Sequence, residues 1–119
     1  MTTDRDANLY RVKVRLIALG MLQDGWRDGD GLAPTSAAMQ AADRLLSLRP
    51  QIVDVPCYLF PSPDGGLLFE LIVCRQDFDI SIPPNGAVEF GGGDTDPAFP
   101  NIDAALAYID GVLAQDAEG

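Results

Sequence analysis

Residues 63–73 read Pro-Asp-Gly-Gly-Leu-Leu-Phe-Glu-Leu-Ile-Val, and this stretch decides the fold. Its first four residues suit a tight turn, because Asp and Gly tolerate positive φ angles and Pro presets the φ angle at the turn entry. The next seven residues carry apolar side chains at alternate positions, with Glu70 on the opposite parity. Since side chains alternate between the two faces of a strand, we predict a strand that buries one face and exposes the other.

Two more strands follow with the same alternation, and the length of the loop between them fixes their register. A two-residue loop at Asn85-Gly86 would set Ile82 opposite Glu89, whereas a loop one residue longer, beginning at the preceding Pro, sets Ile82 opposite Val88. The longer loop matches apolar with apolar, so we predict it, with Gly86 in the left-handed conformation. The side chains expected to face the helices are Leu67, Phe69, Leu71, Ile80, Ile82, Val88 and Phe90.

A further strand should precede the hairpin, over residues 55–60. Pro56 and Pro61 lie near its ends. Because proline cannot donate to a ladder, we predict a strand that is short or lies at the edge of the sheet.

The first hairpin also bears on the two cysteines. If Gly65-Gly66 forms a two-residue turn, Cys57 lies opposite Cys74 in the ladder. Two cysteines are too few for a disulfide scaffold, and we expect both thiols to be reduced. The next turn is predicted near Gln76-Asp77.

Three helices are predicted around these strands. Residues 4–22 also contain a strand-like alternation at 11–16, but the helical apolar spacing runs on past that segment, longer than most strands, and favours a helix. Thr35 is expected to cap a helix at 36–48 and Asn101 a helix at 102–115. The apolar positions of the first helix are Leu9, Val12, Leu16, Leu19 and Leu22.

Together these elements predict a single α+β domain over residues 1–119. Its order is α-α-β-β-β-β-α, a four-stranded antiparallel meander with about three helices packed on one face. The length of 119 residues suits one hydrophobic core.

The charge of the chain is acidic and uneven. The formal net charge is −10, and residues 76–119 hold nine Asp and Glu with no Lys or Arg. Such a surface should repel nucleic acid and anionic membranes and attract a basic protein partner, although acidity alone also serves solubility. No apolar run is long enough for a signal peptide or a membrane span, so we expect a cytoplasmic protein.

The sequence contains little that points to catalysis. It has no His, which excludes Ser–His and Cys–His pairs and removes the commonest nitrogen ligand of zinc. The loop 24–31 is rich in Asp, yet it lacks the spacing of a calcium loop. We expect no cofactor and no metal, with a small metal-binding or enzymatic module using this loop as the alternative.

Two motifs support a resemblance. The loop Gly25-Trp26-x-Asp28-Gly29 and the later Pro63-Asp64-Gly65-Gly66 hairpin resemble those of a loose group of small bacterial and phage proteins. The resemblance covers roughly residues 9–90 and implies a fold pattern and a mobile-element context, without functional residues to carry over. Leu71 follows Glu70 where that group often has an aromatic residue.

The candidate binding site lies on the strand parity opposite the core. Glu70, Asp79 and Glu89 fall on this face in three successive strands, and Leu68 and Ile72 share it. Acids beside apolar side chains on one sheet face favour docking of a partner.

Trp26, the only Trp, is a further candidate contact. Packing of its indole against the core, which would anchor its loop, is the more frequent arrangement.

From these patterns we expect a non-enzymatic interaction protein that binds a basic protein surface. More narrowly, we expect a small acidic inhibitor or antitoxin-like partner from a phage or mobile element. A homodimeric structural protein that pairs through the exposed sheet face is a further alternative.

Overall fold

The structure is a computed structural model that describes residues 4–92 and 96–118. The α+β fold and the order of its elements are confirmed. A single antiparallel sheet has the strand order β1-β2-β3-β4-β5, so the chain forms a meander. The elements are α1 (Asp4–Gly20), α2 (Ser36–Leu48), a 3-10 helix (Pro50–Asp54), β1 (Cys57–Pro61), β2 (Leu67–Val73), β3 (Gln76–Ile82), β4 (Val88–Gly91), β5 (Ala98–Phe99) and α3 (Ile102–Glu118).

The first element is a helix, and the strand alternative at 11–16 is wrong. In α1 the side chains of Val12, Leu16 and Leu19 are buried. These positions lie one helical turn apart, so a helix buries all three on one side, whereas a strand would place Val12 and Leu19 on opposite faces.

Both predicted N-caps are confirmed. The Thr35 hydroxyl accepts a hydrogen bond from the amide of Ala38 at 3.1 Å. The Asn101 side-chain oxygen accepts one from the amide of Ala104 at 2.9 Å. Each satisfies a backbone donor that the first turn of a helix leaves unpaired.

The predicted loop between β3 and β4 is confirmed. Ile80 pairs with Phe90, and Gly86 has a φ of +82°. The amide of Gly86 donates to the carbonyl of Pro83 at 2.9 Å, and the Asn85 side chain accepts from the amide of Ala87 at 2.9 Å. The turn and its side-chain bond together hold the three-residue loop.

The predicted register of the first hairpin is wrong. Cys57 pairs with Leu71, and the loop is longer than a Gly65-Gly66 turn. The amide of Gly65 donates to the carbonyl of Ser62 at 3.1 Å, which makes Ser62 to Gly65 the turn. Gly66 lies between the turn and β2, where a side chain would overlap the carbonyl oxygen of Ile82.

The turn between β2 and β3 is also displaced from its predicted place near Gln76-Asp77. Val73 pairs with Gln76, so the turn consists of Cys74 and Arg75, with φ angles of +52° and +65°. Two-residue hairpin turns of this type require positive φ at both positions and usually contain Asn or Gly. Cys and Arg gave no such signal in the sequence.

The predicted faces of the strands are confirmed. The side chains expected to face the helices, from Leu67 to Phe90, are all buried, and they join the apolar sides of the three helices in one core. Phe69, which is fully buried, lies near the middle of this core sheet. No helix in the described ranges is both long and apolar enough to cross a membrane.

The proline-flanked strand β1 is short and lies at the edge of the sheet, as predicted. The opposite edge is closed by β5, a two-residue strand that the sequence did not predict. It carries only Ala98 and Phe99, too few positions to show an alternating pattern.

Candidate functional site

The candidate site is the sheet face turned away from the helices, which we call the open face. Its side chains come from the alternate positions of four strands and lie outside the core. The open face consists of Tyr58 and Phe60 of β1, Leu68, Glu70 and Ile72 of β2, Asp77, Asp79 and Ser81 of β3, and Glu89 of β4.

The strand register arranges the open face as a gradient from apolar to acidic. One row across the strands runs from Tyr58 through Glu70 to Asp79. The next row runs from Phe60 through Leu68 and Ser81 to Glu89, and a shorter one joins Ile72 to Asp77. Every row is apolar toward β1 and acidic toward β3 or β4.

The apolar side of the open face is substantially exposed. Tyr58 retains 51% of its side-chain surface, Phe60 retains 39% and Ile72 retains 37%. Neighbouring exposed aromatic and aliphatic side chains of this kind are typical of interaction sites.

The acidic side of the open face contains two carboxylates of like charge that face each other. Glu70 and Asp79 are direct partners in the β2–β3 register. Directly opposed side chains in an antiparallel pair have Cβ atoms about 5 Å apart, and like charges at such positions are destabilising. The pairing of these two carboxylates therefore lowers the stability of the β2–β3 ladder at this position.

Three acids elsewhere in the described part of the chain are paired with arginine. Asp103 of α3 receives two hydrogen bonds from Arg44 of α2, at 2.9 and 2.8 Å. Asp110 of α3 receives two from Arg49, at 2.6 and 3.0 Å. These bidentate pairs join α2 to α3.

A third pair joins α1 to the 3-10 helix, where Arg5 donates to Asp54 at 2.9 Å. The arginine partner lowers the pKa of Asp54 below its ordinary value, mainly through this side-chain hydrogen bond. Arg44 lowers the pKa of Asp103 in the same way. Among the described residues, no Lys or Arg forms a salt bridge with an acid of the open face.

The structure brings together five of the six predicted site residues, namely Glu70, Asp79, Glu89, Leu68 and Ile72. Trp26 is separate from them. Its indole nitrogen donates to the carbonyl of Leu32 at 2.8 Å, and its ring covers Gly31. The indole thus contacts other residues of its own loop, whereas packing against the core was expected.

The Asp-rich loop holds itself together with hydrogen bonds. Asp24 accepts from the amide of Ala33 at 2.9 Å, and Asp28-Gly29 forms a turn with both φ angles positive. Within the described ranges, no group of three or more Cys, Asp or Glu is arranged to hold a metal ion. The structure therefore gives no support to the metal-binding alternative.

The two cysteines occupy different environments, and neither is in a disulfide. Cys57 is buried, and burial raises the pKa of its thiol to about 12. Cys74 is exposed in the β2–β3 turn, and its sulfur lies 3.2 Å from the carbonyl of Gln115. A buried, protonated thiol is a poor nucleophile, so Cys57 contributes to packing of the core and is not a candidate for a reactive thiol.

A cavity of about 290 Å³ lies between α1 and the outer edge of β1. Tyr58 and Phe60 line it together with Arg11 and Arg15 of α1. Arg15 donates to the carbonyl of Leu59 at 3.1 Å and so occupies an acceptor on the sheet edge. A covered edge acceptor discourages the addition of another strand at β1.

Four open-face residues were not predicted as site residues, namely Tyr58, Phe60, Asp77 and Ser81. Strand parity could have identified Asp77, because it lies two residues before Asp79 and therefore on the same face of the strand. Tyr58 and Phe60 required the correct register of the first hairpin, because only that register sets them beside Glu70 and Leu68.

Comparison of the chain with protein-family models, curated proteins and solved structures finds no match.

Proposed function

We propose that this protein is a binding protein, rather than an enzyme, and that its open face docks on a basic protein surface. The observation that carries the proposal is the direct opposition of Glu70 and Asp79, two carboxylates with no arginine partner among the described residues. A guanidinium or ammonium group from a partner would relieve their repulsion and gain a charge-assisted hydrogen bond.

The apolar side of the open face gives the partner a second required feature. Tyr58, Phe60 and Ile72 lose exposed apolar surface only if the partner places apolar groups over β1 and β2. The complementary surface is therefore an apolar strip beside a strip of Lys and Arg. Charges of this kind steer association and set specificity, while the aromatic side chains supply the buried anchors.

The narrower form of the proposal is a small acidic inhibitor or antitoxin-like protein. The nucleic-acid-binding groove of an enzyme or the basic face of a toxin presents Lys and Arg, and an acidic sheet face can cover either. The mobile-element context implied by the two sequence motifs agrees with this form.

Binding should depend on the open-face acids and on salt. Protein captured from the native host by the tagged chain would be identified, purified and titrated against wild type and the double variant Asp79→Lys with Glu89→Lys. We expect the variant to fold normally and to bind at least tenfold more weakly, which corresponds to about 1.4 kcal/mol. Affinity of the wild type should fall steeply as salt is raised.

A matched control is the double variant Asp30→Lys with Asp43→Lys, which makes the same change in net charge at exposed positions outside the open face. It should bind nearly as well as wild type. Equal weakening by both double variants would indicate a nonspecific charge effect. Affinity that is insensitive to salt and to the open-face reversals would refute the proposal.

A further inference from the structure

Helix α1 is apolar on two opposite sides. Val12, Leu16 and Leu19 face the core. A second set of apolar side chains lies on the side away from the core, and we call it the outer stripe. It consists of Tyr10, Val14, Ile17 and, in the turn directly after the helix, Met21.

The outer stripe is the most exposed apolar surface on the described part of the chain. Tyr10 is 72% exposed, Ile17 65% and Met21 77%. No other large apolar side chain in the described ranges exceeds 54%. A contiguous exposed patch of this kind marks an interaction site, whereas single exposed apolar residues do not.

The spacing of the outer stripe is that of a helix–helix seam. Its members are separated by four, three and four residues, as the a and d positions of a heptad repeat are. The stripe therefore fits another helix.

The charge of α1 favours a second copy of this chain as the source of that helix. The helix carries four basic side chains and two acidic ones in a protein of net charge −10. It is thus the one helix of the described structure with a positive charge balance, and two copies meet with least repulsion there. The open face would bring Glu70, Asp79 and Glu89 against their own counterparts, which disfavours it for self-association.

We propose that two copies associate through the outer stripe, with their α1 helices antiparallel. Knobs-into-holes pairing then places Tyr10 against Met21 of the second copy and Val14 against Ile17 of the second copy. The two helix dipoles oppose each other in this arrangement, which a parallel pair does not achieve.

The residues that flank the outer stripe also fit an antiparallel pair. Arg11 borders one side and Lys13 the other. In the antiparallel arrangement Arg11 lies near Ala18 of the second copy and Lys13 near Gly20 of the second copy. The long aliphatic stems of the two cations cover these small residues, and the charged ends reach solvent without meeting like charges.

The interface contains a single helix from each copy, so the dimer should be weak. We expect a dissociation constant on the order of 10 μM. Sedimentation equilibrium over a range from about 1 μM to about 500 μM should therefore show the mass rising from monomer to dimer. A monomer at the highest concentration would overturn the proposal.

The variant Ile17→Glu should remain monomeric over the same range, because it places one carboxylate from each copy, two in all, in the seam of a dimer that has lost its central contact. Met21→Glu is a second variant with the same expected result, and it lies outside the helix in case Ile17→Glu impairs folding. The matched control is Ile72→Glu, the same substitution at an exposed position of the open face. It should dimerise as wild type does, and loss of the dimer in Ile72→Glu but not in Ile17→Glu would assign self-association to the open face instead.

Cysteine crosslinking tests the antiparallel orientation. In a Cys74→Ser background, a mixture of Val14→Cys and Ile17→Cys proteins should form disulfide-linked dimers under mild oxidation, and Val14→Cys alone should not. Cys57 does not interfere, because it is buried. Efficient crosslinking of Val14→Cys alone would show a parallel pair and overturn the orientation.

Discussion

The acids on the helix side of the sheet differ from those on the open side. On the helix side, Asp103 meets Arg44 of α2 and Asp110 meets Arg49, the residue directly after α2, each in a bidentate pair. On the open side, Glu70 meets Asp79 across the strands. The nine acids of residues 76–119 include Asp79 from one group and Asp103 and Asp110 from the other, although the first opposes strand pairing and the other two stabilise helix packing.

The difference separates the stability of the fold from its proposed binding role. The side chains that pack between the helices and the sheet, and the acids between α2 and α3, are matched in polarity and charge, as expected where folding is the only requirement. Open-face side chains are mismatched in both respects, with exposed aromatics and opposed carboxylates. Local mismatch of this kind is expected at functional sites, since stability there is exchanged for binding.

The largest expected effect is a difference in the free energy of unfolding between a substitution on the helix side of the sheet and one on the open face. Phe69→Ala, on the helix side of β2, should lower the free energy of unfolding by about 3–5 kcal/mol, because it removes a fully buried ring and leaves a cavity. Glu89→Ala, on the open face, should change it by no more than about 0.5 kcal/mol. Urea denaturation followed by circular dichroism measures both.

Phe60→Ala is the matched control, because it makes the same substitution on the open face at a side chain that is 39% exposed. It should cost less than half as much as Phe69→Ala, since a partly exposed ring loses less buried surface and leaves no closed cavity. Similar losses for the two Phe variants would contradict the assignment of the faces.

Replacing an acid by Lys should change the free energy of unfolding by a smaller amount, with opposite signs on the open face and on the helix side. Asp79→Lys converts the opposed carboxylates into an opposite-charge pair with Glu70, and we expect it to raise the free energy of unfolding by about 0.2–1 kcal/mol. Asp103→Lys places a cation beside Arg44 and should lower the stability. Chemical denaturation of the two single variants and wild type tests the pair of signs.

The Asp79→Lys variant should thus be more stable and yet bind its partner less well. This combination would indicate that the opposed carboxylates are retained for binding. Destabilisation by Asp79→Lys would show instead that the aspartate has a structural role, and the distinction between the two groups of acids would fail.

The hairpins show how much of the fold the sequence could predict. Strand parity was sufficient to assign both faces of the sheet and the loop between β3 and β4, where Asn85 and Gly86 follow a Pro. The first hairpin contains the same Pro-Asx-Gly order in Pro63-Asp64-Gly65, and it forms the same loop. In both, the Gly amide donates to the carbonyl three residues earlier and the Asx side chain accepts from the amide two residues later.

The error in the first hairpin came from treating Gly65 and Gly66 alike. Gly65 has a φ of +94° and is required by the turn, whereas Gly66 is required by its close approach to the carbonyl of Ile82. The second requirement is a contact between residues distant in the sequence, and local pattern cannot reveal it. Recognition of the repeated loop would have given the correct register and with it the open-face positions of Tyr58 and Phe60.

The pairing of acids with arginines was beyond sequence reasoning for a related reason. Asp103 and Arg44 lie 59 residues apart, and Asp110 and Arg49 lie 61 apart. Only the packing of α3 beside α2 brings them together. The outer stripe of α1, by contrast, was present in the sequence as a second helical spacing, but the core spacing of Val12 and Leu16 had already accounted for the helix.

The smallest expected effect is a pH dependence confined to the helix side. Arg44 lowers the pKa of Asp103 below its ordinary value of 3.8, so the folded state binds this proton less readily than the unfolded state. The resulting stabilisation is fully present above the ordinary value and is lost as pH falls through it toward the pKa of the folded state. A double-mutant cycle with Arg44→Gln and Asp103→Asn, measured by urea denaturation, should therefore show a coupling free energy that is smaller at a pH below 3.8 than at neutral pH. Both side chains are largely exposed, so the coupling should also shrink when salt is added at neutral pH. A coupling of the same size at both pH values would mean that the two side chains interact through packing and not through charge, and the acids of α3 would then no longer differ from those of the open face in the way the arginine pairs imply.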